Sequence, residues 1–119
     1  MFSPSMLAAL FVKGSLKNTE TGFEFKLKNI IDSGTIIGLA PLGVDEASVP
    51  AADLTVKVGE KVLSGDQIAN TNPLPVRSYA EILISAAGQP LAAGSHKLTI
   101  AVVTREAGRL QFSVNETIQ

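Results

Sequence analysis

The chain alternates apolar and polar residues with a period of two along most of its length. Phe23, Phe25 and Leu27 alternate with Glu24, Lys26 and Lys28. In a strand this puts three apolar side chains on one face and three charges on the other. Leu54, Val56 and Val58 alternate with Thr55 and Lys57, and Leu98, Ile100 and Val102 with Lys97, Thr99 and Ala101. Leu110, Phe112 and Val114 alternate with Arg109, Gln111 and Ser113; Ile82 and Ile84 alternate less cleanly with Glu81, Leu83 and Ser85. The run Thr35-Ile36-Ile37-Gly38-Leu39 is uniformly apolar and predicts a strand covered on both faces. Met6–Val12 predicts the first strand, continuing into Lys13-Gly14-Ser15-Leu16.

Turn chemistry separates these runs. Asn18–Gly22, Asp32-Ser33-Gly34, Gly43–Pro50, Gly59-Glu60, Gly88-Gln89-Pro90, Ala93-Gly94-Ser95 and Ala107-Gly108 are turn clusters. Val58-Gly59-Glu60-Lys61 suits a two-residue hairpin with Gly at a positive-φ position. Arg105–Gly108 predicts a hairpin joining the last two strands. Gly65–Asn70 predicts one helical turn with Ser64 or Asp66 as N-cap. Thr71–Pro75 carries two prolines, which forbid a central strand there. Short alternating strands with turns every ~8–14 residues predict an all-β fold, an antiparallel β-sandwich or small barrel of about seven to eight strands. At most one short helical turn is expected, and residues 1–119 form a single β-sandwich domain.

Composition narrows the functions open to such a domain. The 119 residues hold 10 Lys+Arg against 11 Asp+Glu, so no basic excess invites nucleic acid. Phe23 and Phe25 point away from Lys26 and Lys28 on a strand, so these aromatics cannot stack on bases that the lysines hold. With no Cys, disulfide stapling and Cys–His catalysis are excluded, and a reducing cytoplasm is the expected compartment. Met6–Val12 is at the short limit for the core of a signal peptide and has the wrong flanks, so a strand is expected there instead, and no run reaches the length of a membrane helix. Charged residues make up 18% of the chain while mean hydropathy is +0.27. That apolar excess predicts surface seeking a partner, another subunit or copies of itself.

Candidate chemistry is sparse. The single His, His96, opens a strand after a Gly-Ser turn, where a polar residue commonly caps the ladder. A catalytic reading would join His96 to an acidic residue of a neighbouring strand, with Arg105 or Arg77. One His cannot build a usual zinc site, and Asp45, Glu46 and Asp53 lack the spacing of a calcium loop. Val44-Asp45-Glu46 before Pro50 reads as a strand end and turn. No metal or other cofactor is expected.

Three stretches carry a family likeness: Gly22-Phe23-Glu24-Phe25-Lys26-Leu27; Gly43-Val44-Asp45 with Val49–Gly59; and Leu91-Ala92-Ala93-Gly94-Ser95-His96-Lys97-Leu98-Thr99-Ile100. Over about residues 22–104 the chain resembles the small β subunit of C-glycoside deglycosidases and the domains related to it. The resemblance implies a β-sandwich that associates with a larger TIM-barrel subunit. That larger subunit holds the divalent metal and most catalytic residues. Where the family has a Tyr-Arg-Gly-like stretch this chain has Ile31-Asp32-Ser33-Gly34, so no catalytic residue is carried over.

The expected role is a non-catalytic accessory subunit or interaction module, with no membrane or nucleic-acid partner. The alternatives are a small-ligand or carbohydrate-binding module, or a homo-oligomeric structural protein. The outward side of the N-terminal segment and the crossing loop Pro73–Tyr79 are the expected contact surfaces. Arg77 and Tyr79 are the candidate interface residues, being types favoured in binding hot spots.

Overall fold

Inward-facing apolar positions on successive strands zip the chain into two antiparallel sheets, seen in a computed structural model that describes residues 2–118. The first sheet orders β1 (Lys17–Thr19), β2 (Gly22–Lys28), β9 (Glu81–Ala87), β6 (Leu54–Val58) and β7 (Lys61–Ser64) as β1-β2-β9-β6-β7. The second is built on β10 (Gly94–Thr104), which pairs along its whole length with β11 (Gly108–Ile118). The other edge of β10 is shared by two strands in tandem: β4 (Leu42–Val44) pairs near Leu98, and β3 (Gly34–Leu39) near Val102–Thr104. β5 (Ala47–Val49) extends β4, and β8 (Leu74–Val76) extends β3. Among the described residues no helix is long and apolar enough to cross a membrane.

The period-two reading holds where it was cleanest. Phe23, Phe25 and Leu27 are buried, and so are Leu54, Val56, Ile82, Ile84, Leu98, Ile100 and Phe112. Phe25, Leu54 and Leu98 are almost wholly sealed from solvent, and Phe25 stacks on Phe11 with ring centroids 5.4 Å apart. Each such side chain contributes about 1.5–3 kcal/mol by leaving water. The hairpins also fall where turn chemistry put them: Val58 pairs with Lys61, and Thr104 with Gly108 across a short loop. The Ser64 side chain caps a single 3₁₀ turn over Gly65–Gln67, with Gln67 completing a capping box.

Three expectations change in detail. Met6–Val12 is not a strand. Pro4–Ala8 forms a short helix, α1, and Phe11 makes one isolated bridge to Leu27. The Ser3 hydroxyl accepts the Met6 N–H at 3.2 Å and Pro4 occupies the first turn, a start signal that outweighs the apolar run. Thr35–Leu39 is covered unevenly: Ile36 is buried while the other four residues are half-buried, because β3 belongs to a two-layer sandwich whose outer side is only partly shielded. Among the described residues the antiparallel sandwich has eleven strands, because the β1, β4, β5 and β8 segments are strands of only three residues, and α1 joins two 3₁₀ turns as helical structure. Pro75 sits in β8, an edge strand, where its missing N–H costs no ladder bond.

Gly22 marks the tightest backbone approach. Its φ is 154°, and a Cβ there would collide with the carbonyl oxygen of Ala86 on β9. Gly22→Ala is expected to lower stability by about 2 kcal/mol or more, read from the urea midpoint, because sealed neighbouring strands cannot move aside.

Candidate functional site

The sandwich has two ends that differ in chemistry. At one end, β10 begins beside the turn between β4 and β5. Asp45 occupies that turn with φ 55°, a left-handed conformation that Asp adopts more readily than most residues. Its Oδ1 accepts the Lys97 N–H at 2.9 Å, and its Oδ2 lies 2.8 Å from His96 Nδ1. The other ring nitrogen, Nε2, lies 2.6 Å from the Ala92 carbonyl oxygen. A carbonyl only accepts, so Nε2 carries a proton; a carboxylate at Nδ1 calls for a second. The geometry therefore holds an imidazolium. The Ala92 carbonyl and then Asp45 raise the His96 pKa above the usual 6.5. The His96 ring and then the Lys97 N–H lower that of Asp45. With both ring nitrogens engaged, His96 ties the 88–93 loop to the start of β10 and to the β4–β5 turn.

The other end is open. There the loop of residues 29–33, the turn of residues 77–80 and the β10–β11 turn come together. Asn29 is the knot: its Nδ2 lies 3.1–3.3 Å from the carbonyls of Asp32, Val76 and Arg77, and its Oδ1 accepts the Ile31 N–H. Ser78 donates its N–H to Ser33 Oγ and its hydroxyl to the Ile31 carbonyl. The Tyr79 N–H donates to the Asn29 carbonyl, and Tyr79 is held at φ 67° with 71% of its surface exposed. From the β10–β11 turn, Glu106 reaches across to accept the Thr35 N–H at 2.8 Å, which holds its carboxyl below the ordinary range.

Behind these loops lies a cavity of about 450 Å³ between the sheets. Leu27, Val56 and Ile84 line it from the first sheet, and Ile36, Ile100 and Phe112 from the second. It opens to solvent between the 29–33 loop and the β10–β11 turn. Water would find few partners, since among the described residues no polar or charged side chain is buried.

The structure thus separates the sequence candidates. His96 finds an acidic partner on a neighbouring strand, but Arg105 lies at the far end of β10, where its guanidinium meets the Asn70 side chain at 3.2 Å. Arg77 and Tyr79 share the open end, on the turn between β8 and β9. Asp45 serves the His96 clasp, and among the described residues no three His, Asp or Glu side chains gather as a metal site. Sequence reasoning missed the cavity. Its signal was the aliphatic character of the alternating positions, with a single Phe among those of β10 and β11.

These features define a two-sheet antiparallel sandwich domain, clasped at one end and hollow at the other. The family model described as hydroxymethylglutaryl-CoA reductase, N-terminal domain, matches residues 6–119, and the chain belongs to that family. No curated protein matches it.

The clasp makes stability depend on pH. A raised His96 pKa contributes stability that is complete below pH 6.5 and is lost as pH rises through the raised value. A lowered Asp45 pKa contributes stability that is present above pH 3.8 and is lost as pH falls through the lowered value. Thermal unfolding is expected to show higher Tm near pH 5–6 than at pH 9, with His96→Gln flattening that difference. An unchanged alkaline slope in the variant would show that the clasp does not carry it.

Proposed function

We propose that this chain is a non-catalytic accessory domain that docks on a larger enzyme domain or subunit. The carrying observation is the laced loop pair at the open end. Ile30 and Tyr79, two of the large apolar side chains the fold leaves exposed, sit on loops bonded to each other through Asn29, with Arg77 beside Tyr79. A Tyr held in a left-handed backbone conformation is strain kept at a surface position, and a rigid, exposed Tyr with a neighbouring Arg is preorganised for contact. Two further points support the reading. The family is described by an N-terminal domain of an enzyme. The resemblance to the small subunit of C-glycoside deglycosidases also points to a sandwich that serves a larger catalytic partner. His96, the residue best suited to acid–base work near neutral pH, has both ring nitrogens committed to the clasp.

The test is purification of the tagged chain from its native host, followed by light scattering and mass spectrometry. The expected result is a fixed-ratio complex with a larger enzyme polypeptide. Tyr79→Ala is expected to weaken that complex by roughly thirtyfold, as loss of a hot-spot residue does. Recovery of the wild-type chain alone as a monomer, or full affinity in both Tyr79→Ala and Ile30→Ser, would overturn the proposal.

A further inference from the structure

Beyond a docking role, we propose that the cavity between the sheets is a binding site for the aliphatic tail of a small amphiphile, whose polar head stays at the open end. Three observations carry this. First, the volume of about 450 Å³ lies within the range of small-molecule sites. At about 30 Å³ for each water-sized unit of liquid, it holds roughly fifteen such units, and a chain of about ten to twelve carbons fits with clearance.

Second, the wall is hydrocarbon from both layers. Half-buried Leu10, Ile31, Leu39, Val102 and Leu110 form its sides over a floor of nearly sealed Val56, Ile84 and Ile100, and the backbone groups of the strands are committed to their ladders. Such a wall offers a ligand contact and desolvation but no hydrogen bond. It therefore selects methylene and methyl groups and rejects sugars, nucleotides and ions, whose polar atoms would be stranded. A flat aromatic ligand is less suited than a flexible chain, because the lining is mostly branched aliphatic side chains that leave an irregular outline.

Third, polarity returns only at the mouth. Lys28, Asp32, Ser33 and Glu106 border the opening, and a shallower recess of about 210 Å³ continues from it past Arg77. Both signs of charge are present there, so the tail supplies the affinity and the head is held by hydrogen bonds at the rim. The Glu106 contact to the Thr35 N–H keeps the β10–β11 turn fastened beside the opening, and so props the mouth in its present shape.

The test uses the full chain with labelled Ile, Leu and Val methyl groups, titrated separately with dodecanoate and with 1-dodecanol, each below its aggregation limit. The expected result is a saturable methyl response at Ile36, Ile84 and Ile100, on both sheets, with no response at Val62, which is exposed on β7. Intermolecular nuclear Overhauser contacts from chain methylenes to Ile84 and Ile100 should accompany it, and Tm should rise with ligand concentration. Binding of both probes, or of one, supports the tail site; a preference for dodecanoate that Arg77→Gln removes assigns the head to that recess. Val102→Phe, which fills the cavity from β10, should weaken binding at least tenfold while keeping the Tm of the free protein. The Overhauser contacts decide the matter in the wild-type chain should that variant fail to fold. Absence of any saturable response to either probe, contacts confined to outer-face methyls, or wild-type affinity in folded Val102→Phe would each overturn the proposal.

Discussion

The two-sided pairing of β10 is the constraint on which the rest of the structure depends. One edge is bonded to β11 over eleven residues, while the other edge carries β4 and then β3. Leu98 and Ile100, on its inner face, are almost wholly sealed and face the first sheet. A slip of one residue would turn both outward and expose their neighbours' apolar faces as well. The same strand sets the positions of the polar ties. His96 near its start meets Asp45 from the β4–β5 turn, and Glu106 just past its end meets the backbone of Thr35 at the start of β3. Both ties join residues far apart in sequence, and neither forms until the strand is in register.

The interior is filled unevenly, and this explains why one end is hollow. Phe23 and Phe25 come from the first part of β2, with Phe11 stacked on Phe25. Aromatic rings are the largest apolar fillers available, and these three are buried where they fall. Toward the end of β2 and the start of β9 the inward residues are Leu27, Ile82 and Ile84, opposite Ile36, Ile100 and Val102. Branched aliphatic side chains of this size leave space between two sheets that packed layers hold about 10 Å apart. The apolar excess in the composition is thus largely accounted for inside the molecule, by the core and the walls of the cavity. Outside, large exposed apolar side chains among the described residues are few: Met6, Ile30, Val62 and Tyr79.

The two ends therefore have different physical jobs. The His96 clasp spends its titratable group on holding loops together, a structural use of an imidazolium. The open end instead combines rigidity with access. Asn29 fastens two loops through backbone carbonyls, and backbone geometry there is fixed enough to keep Tyr79 at positive φ. The sandwich thus divides its ends, one closed by polar ties and the other presenting shape.

Much of the fold was legible because its causes are local. Alternation put Phe25, Leu54, Ile84, Leu98 and Ile100 inside, and Val58-Gly59-Glu60-Lys61 announced its own hairpin. The N-terminal segment was misread because Ser3-Pro4 is a local start signal that competes with the apolar run after it, and α1 forms from the former. The meeting of His96 with Asp45, the lacing of residues 29–33 to 77–80, and the hollow behind them were not legible. By itself the sequence determined the class of fold, the inward faces and most turns, since each follows from a residue and its immediate neighbours. The tertiary structure alone decided which strands share β10, which carboxylate finds the one imidazole and where the core is left unfilled. Those depend on register and on the distance between two sheets, quantities that no short stretch of chain contains.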